Sequence, residues 1–195
     1  MNRIAAFFDT MAAGWDAQCY HNPEKIRTIL SLTDIRPDAD ILDVGCGTGI
    51  LESFLLPYRP RQITGIDISP EMIAHARLKY AGYGDVIRFE CRNLMDIEQE
   101  SYDYILIYSA YPHFREPSSL IRHTAGLLRE GGKLAIAHSE SREDINRHHR
   151  LHTAGGISSE LPPAREVAAL LEPYFRLEVI IDTAQLYIVS GIHQK

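Results

Sequence analysis

Residues able to do chemistry gather first in the stretch Ile41-Leu42-Asp43-Val44-Gly45-Cys46-Gly47-Thr48-Gly49-Ile50-Leu51. It reads as a short apolar strand, a three-glycine turn and the opening of a helix. Glycines at 45, 47 and 49 let the backbone approach a ligand and adopt positive φ. The helix start leaves unpaired N–H groups facing the same space. About twenty residues on, Asp67 ends a second apolar run, Ile63-Thr64-Gly65-Ile66, where a carboxylate can accept both hydroxyls of a ribose. Spacing then selects the ligand. A dinucleotide turn, G-x-G-x-x-G, would put its third glycine at position 50, which is Ile50. Asp43, inside the strand and aimed at the turn, would repel a pyrophosphate and attract a cation. The pattern therefore predicts a nucleoside that carries positive charge and an amino acid tail.

On these residues the chain resembles the class I S-adenosylmethionine-dependent methyltransferases. The likeness runs from Asp43-Val44-Gly45-Cys46-Gly47-Thr48-Gly49 through Gly65-Ile66-Asp67-Ile68-Ser69-Pro70-Glu71-Met72, within roughly residues 38 to 138. It implies an S-adenosyl-L-methionine cofactor, with Asp43 serving its ammonium group and the turn of Gly45, Cys46, Gly47 and Gly49 admitting its sulfonium and ribose. Asp67 would take the ribose diol, and Ile68 would lie on one adenine face. An acid of the family that accepts the adenine amino group is replaced here by Asn93, whose amide oxygen can still accept. The Leu94 N–H would meet a ring nitrogen. Tyr108 falls where sheet, cofactor methyl and substrate meet. The segment Tyr108-Ser109-Ala110-Tyr111-Pro112-His113-Phe114 has one proline and no acid or amide, so methylation of nucleic acid bases is not supported. Its aromatic and imidazole groups can instead cage a sulfonium, and His113 is a candidate general base.

Four of the nine histidines fall within residues 138–152. His138 follows a strand and should emerge beside the methyl donor. Ser141 can cap the next helix, on which Arg142, Asn146 and His149 share a face with Ile145. Asp144, His148 and His152 lie at four-residue steps, a spacing able to ligate a metal. Three readings stay open: a polar substrate pocket of His138, Arg142, Asn146 and His149; a transition-metal site; and a solvated, histidine-rich helix. Gly155-Gly156 should break that helix, before Leu161-Pro162-Pro163 starts a new segment.

The elements that must position these groups alternate. Strands are predicted over 41–44, 62–66, 86–90, 104–108, 133–137, 176–181 and 186–190. Helices are predicted over 50–58, 70–80, 118–129, 142–151 and 164–171. Strands separated by such helices make right-handed crossovers and a parallel sheet, whereas the link 182–185 permits only an antiparallel hairpin. The expected fold is α/β, a doubly wound, seven-stranded, mostly parallel sheet like the family's Rossmann-like fold. Residues 1–195 form one domain, with an N-terminal helical lid over 1–37 and the α/β core over 38–195. In the lid, Ile4, Phe7, Phe8, Met11 and Trp15 recur at helical spacing, and Asn22-Pro23-Glu24 opens a second helix. Phe8-Asp9 and Trp15-Asp16 resemble a segment that closes the site in quinone-biosynthesis-type members. This makes Trp15, with Phe8 and Tyr20, a substrate-side residue alongside Tyr111, Arg142 and Asn146.

With 195 residues, 45% hydrophobic and net charge −6, the chain suits one soluble domain without a nucleic acid partner, since phosphate binding needs clustered Lys and Arg. No apolar run approaches the roughly 20 residues of a membrane span. The first nine residues lack a signal-peptide pattern, and Cys19, Cys46 and Cys91 lack metal-finger spacing. A cytoplasmic monomer or homodimer is expected. The expected function is methyl transfer from S-adenosylmethionine to a small-molecule acceptor, with His138, His149 or His113 as base where one is needed. A cofactor-binding or metal-handling accessory protein and a nicotinamide oxidoreductase are the alternatives.

Overall fold

The computed structural model describes residues 2–152 and 156–194, without the side chain of His152. Its centre is a seven-stranded sheet of β1 (Asp40–Val44), β2 (Gln62–Asp67), β3 (Ile87–Cys91), β4 (Tyr102–Tyr108), β5 (Leu128–His138), β6 (Phe175–Asp182) and β7 (Tyr187–His193). Their spatial order is β3-β2-β1-β4-β5-β7-β6. The first five strands pair in parallel, and β7 runs antiparallel between β5 and β6. The winding direction reverses between β1 and β4, which opens a crevice at their carboxyl ends.

Central strands are apolar throughout because both faces are covered. Leu42, Ile105, Ile107 and Ile136 pack on one side with α6 (Pro117–Leu127) and α8 (Ala164–Leu171). Ile41, Ile63, Leu106 and Ala135 pack on the other with α3 (Pro23–Thr33), α4 (Glu52–Leu55) and α5 (Pro70–Lys79). Helix starts follow local chemistry. Asn22 Oδ1 accepts from Glu24 N at 2.9 Å ahead of Pro23, and Ser69 Oγ accepts from Met72 N at 3.1 Å ahead of Pro70. Ser141 Oγ likewise accepts from Asp144 N at 3.0 Å and opens α7 (Arg142–His152).

Several boundaries differ from those expected. The helix predicted over 50–58 is only α4 plus a 3₁₀ turn, Leu56–Tyr58, because Pro57 cannot continue an α-helix. β5 begins at Leu128 rather than 133: Leu128 pairs with Tyr102, so the strand carries on through Gly131-Gly132. β7 extends to His193, pairing it with Phe175 at the sheet edge. Gly155 lies outside the described residues.

The N-terminal helices α1 (Arg3–Met11) and α2 (Trp15–Gln18) lie over the carboxyl edge of the sheet, clasped by side chains. Asp9 accepts from Ser69 Oγ at 2.6 Å. Asp16 accepts from Thr48 in the glycine turn and from Lys79 Nζ at 2.9 Å. His21 Nδ1 lies 2.8 Å from the Tyr108 hydroxyl at the end of β4. Among the described residues no helix is long and apolar enough to cross a membrane.

Candidate active site

One cavity of about 1150 Å³ runs along the crevice beneath α1 and α2. One end is the glycine turn. Gly45 and Gly47 hold φ of +72° and +56°, and a Cβ on Gly45 would sit 2.7 Å from Ala110 Cβ. Asp67 Oδ2 accepts from Gly47 N at 3.0 Å and Oδ1 from Ser69 N at 2.8 Å, so the turn and the strand end are tied through one carboxylate. Each oxygen keeps a lone pair for a further donor. Burial raises the Asp67 pKa, opposed by these N–H donors. Asp43 is buried under the turn, its pKa driven well up by burial and then by the charge of Glu52. The buried Cys46 thiol is pushed up by the same desolvation.

Asp43, Gly45, Cys46, Gly47, Asp67 and Ile68 all border the cavity, as do Asn93, Leu94 and Tyr108. Gly49 does not: it turns toward Tyr80, whose hydroxyl donates to the Gly49 carbonyl at 2.8 Å. Asn93 Oδ1 accepts from Met95 N at 3.1 Å, capping the 3₁₀ turn Leu94–Asp96. The amide oxygen expected to serve an adenine thus already accepts one bond and keeps its second lone pair.

The other end is lined by imidazoles and aromatic rings. His113 Nδ1 lies 3.0 Å from the Ile157 carbonyl, which fixes the proton on Nδ1 and leaves Nε2 as an acceptor. Its ring is 5.0 Å from Phe8 and 5.5 Å from His149. Burial lowers the pKa of His113, and burial followed by the neighbouring His113 takes His149 down to about 4. Trp15 packs edge-on to Phe8 at 5.6 Å in the roof. The Tyr108 hydroxyl lies 2.8 Å from both His21 Nδ1 and Ser139 Oγ.

Four predicted residues are drawn away from this wall. His138 sits beneath it, 1% exposed and edge-on to Tyr187, with a pKa near 3 caused first by burial. Tyr111 is likewise buried at 2% exposure, in the core against α6 and α8. Asn146 is consumed by backbone: its Oδ1 accepts from Leu161 N at 2.7 Å and its Nδ2 donates to Leu161 O at 3.0 Å. Arg142 pairs with Asp182 at 3.2 Å and Glu143 at 2.6 Å. In their place Ile145, His148 and His149 present α7 to the cavity. Sequence reasoning missed His21, Ser139 and Glu52, none of which belongs to a periodic pattern. Among the described residues, no three His, Cys, Asp or Glu are grouped to hold a metal. Asp144, from the predicted metal spacing, is bonded to Ser141 and Arg147.

Residues 42–134 match the family model described as "Methyltransferase domain". The chain is 29% identical over 166 residues to a malonyl-[acyl-carrier protein] O-methyltransferase of Acetivibrio thermocellus, covering 82% of this chain and 58% of that one. It is 31% identical over 142 residues to a ubiquinone biosynthesis O-methyltransferase of Idiomarina loihiensis, covering 71% and 56%. The chain thus spans little more than half the length of these relatives. The structure of the N-methyltransferase NodS from Bradyrhizobium japonicum, in complex with S-adenosyl-L-homocysteine, superposes over 100% of both chains with a TM-score of 0.76 at 16% identity.

An open, mostly parallel sheet with a glycine turn after β1 and an acid ending β2 defines a nucleoside-binding α/β protein. This chain's residues 42–134 are similar to a methyltransferase domain, and the fold is the Rossmann-like fold of S-adenosylmethionine-dependent methyltransferases. The Cβ-free turn, the doubly anchored Asp67 and the buried acid Asp43 suit a ribose diol and a cationic tail.

Proposed function

We propose that this protein transfers a methyl group from S-adenosylmethionine to a small-molecule acceptor seated against the wall formed by Phe8, Trp15 and the imidazoles of His113 and His149. One observation carries the reading: a single cavity joins the Asp67 cradle to a wall of histidines kept neutral by burial. Asp67, the Gly45–Gly47 backbone and Ile68 would hold the nucleoside, and Asp43 its ammonium end. When bound, the cofactor supplies a methyl carbon already activated by its sulfonium. The protein's own share is to hold the acceptor in line and keep water out. The N-terminal helices serve as the lid, through the Asp9, Asp16 and His21 clasps.

Where the acceptor must lose a proton, His113 is the base the geometry favours. The Ile157 carbonyl holds its Nδ1–H, leaving the Nε2 lone pair available. His149, with a pKa near 4, is a weaker candidate. His138, with a pKa near 3 and off the cavity wall, has no direct part. A weakly basic imidazole suits an acceptor whose proton is already acidic, such as a phenol or an enol. The O-methyltransferase names of the curated relatives agree with an oxygen acceptor.

The test has two arms. Calorimetry with S-adenosylhomocysteine should give micromolar binding, and labelled-methyl transfer should be scored on phenols, quinols and carboxylic acids. For a substrate that turns over, His113→Gln should lower kcat by roughly 100-fold while leaving cofactor affinity intact. Binding of NAD in preference to S-adenosylhomocysteine would overturn the reading.

A further inference from the structure

Glu52 opens α4 directly beneath the glycine turn and is fully buried. Neither of its carboxyl oxygens has a hydrogen-bond partner among the described residues. Oε1 lies 2.9 Å from the point a Cβ on Gly65 would occupy, and Oε2 lies 3.2 Å from the equivalent point on Gly49. Gly65 is the residue paired with Asp43 across β1 and β2, so Glu52 is wedged against the strand ends at the level of Asp43. Asp43 in turn borders the cavity.

Among the described groups around it, the one positive charge that acts on Glu52 is the Lys79 ammonium, which is too far away to bond to it. From β1 comes Asp43, from β2 Asp67, from the turn the Cys46 thiol, and from β4 the Tyr108 phenol. From α5 come Tyr80, whose hydroxyl is spent on the Gly49 carbonyl, and Lys79, whose ammonium is bonded outside to Asp16. Carboxylates only accept, so Asp43 and Glu52 can bond to each other only if one carries a proton. Two buried carboxyls side by side do not both ionise readily.

We propose that Asp43 and Glu52 form one proton-holding carboxyl pair that reads the positive charge on the cofactor's amino acid end, releasing a proton to solvent as the ammonium enters beside Asp43. Glu52 is then a positioning residue acting through Asp43. The inference rests on the cofactor reading above. Desolvation supports it, lifting the Glu52 pKa to about 7 and that of Asp43 well above its ordinary value. The sign follows from linkage: the bound state carries fewer protons, so affinity for an ammonium-bearing ligand rises with pH.

The experiment is calorimetry near pH 7 in buffers of different ionisation enthalpy, with two probes. S-adenosylhomocysteine carries the amino acid tail, and 5′-methylthioadenosine is the same thioether without it. The first should release up to one proton below pH 7, binding up to about tenfold more tightly per pH unit as pH rises toward 7 and levelling off above it. The second should release essentially none. In Glu52→Gln the proton count for S-adenosylhomocysteine should collapse while binding persists. Carboxyl ¹³C NMR of the wild-type protein covers the case in which that variant does not fold. It should show a buried glutamate titrating near neutrality in the free protein and ionised in the complex. S-adenosylhomocysteine binding without proton release, or an unchanged count in Glu52→Gln, overturns the proposal and leaves the cofactor reading standing. No binding of S-adenosylhomocysteine at any pH overturns both.

Discussion

The two ends of the cavity are built from opposite chemistry and treated the same way. Beneath the glycine turn stand the carboxyls of Asp43, Glu52 and Asp67, and burial raises all three. At the far end stand His21, His113 and His149, with His138 buried beneath them, and burial lowers all four. Desolvation disfavours whichever form is charged, so it makes acids weaker acids and bases weaker bases. Burial thus shifts both sets of groups toward their uncharged forms. The difference lies in the direction of response: the acid end has protons to lose as pH rises, and the imidazole end has protons to gain as pH falls. Asp67 is set apart from its neighbours by two backbone N–H donors, which favour its charged form.

The largest expected effect breaks the acid end at Asp67. Asp67→Ala removes the group that ties Gly47 to Ser69 as well as the two lone pairs facing the cavity. Charge-assisted bonds contribute about 1.5–3 kcal/mol each, so S-adenosylhomocysteine affinity should fall on the order of 100-fold or more. Titration calorimetry reads this directly, and a loss of less than about fivefold would mean the nucleoside sits elsewhere.

Acid titration should break the imidazole end next. In the unfolded chain histidine titrates near 6.5, while in the fold His138 resists protonation to about 3 and His149 to about 4. The unfolded state therefore binds more protons below pH 6.5, and folding stability is lost as pH falls from there toward 3. Between pH 6.5 and 4.5 the fully buried His138 should cost up to about 2–3 kcal/mol, and the half-buried, solvent-screened His149 less. Urea melts across that window check it. His138→Leu should flatten the dependence, and an unaltered slope would show that His138 is solvated in solution.

Glu52 should answer in the opposite sense. Its folded pKa, about 7, stands above the ordinary 4.5, so its contribution is intact below pH 4.5 and is lost as pH rises through 7. Glu52→Gln should stabilise the ligand-free protein at pH 8, by at most about 3 kcal/mol, and have little effect at pH 4. Denaturant midpoints at the two pH values decide it. A variant destabilised equally at both would indicate a packing role alone.

What the sequence disclosed follows the same division. The glycine turn and Asp67 were legible because their arrangement is local: a strand, a turn and an acid at fixed spacing. The helix starts at Pro23, Pro70 and Ser141 were legible for the same reason, since capping is written in adjacent residues. The imidazole end was only half legible. The helical face of Ile145 and His149 was visible in periodicity, but periodicity does not say which polar neighbour is spent on backbone. Asn146 reaches Leu161, fifteen residues away, and Arg142 reaches Asp182, so both leave the cavity through contacts that no local pattern records. His21 and Glu52 were invisible for the same reason. One meets the sheet through Tyr108 and the other meets Asp43 only once α4 has folded back under the turn.

The smallest expected effect sharpens the acid end instead of breaking it. Asn93 holds its amide oxygen on Met95 N at 3.1 Å, so an adenine amino group could use only that oxygen's second lone pair, and Nδ2 is a donor that cannot accept from it. Asn93→Asp would keep one oxygen on the cap and offer the second as an acceptor, while adding a negative charge at the first turn of the 3₁₀ segment Leu94–Asp96. One new hydrogen bond contributes on the order of 1 kcal/mol, which is roughly a fivefold gain. The probe is 5′-methylthioadenosine, which carries the adenine without the charged tail and so leaves the Asp43–Glu52 pair out of the measurement. A gain confined to adenine nucleosides, absent for the inosine analogue, would put the amino group beside residue 93. An unchanged affinity would mean that the base is held by stacking on Ile68 and the Leu94 N–H without help from that position.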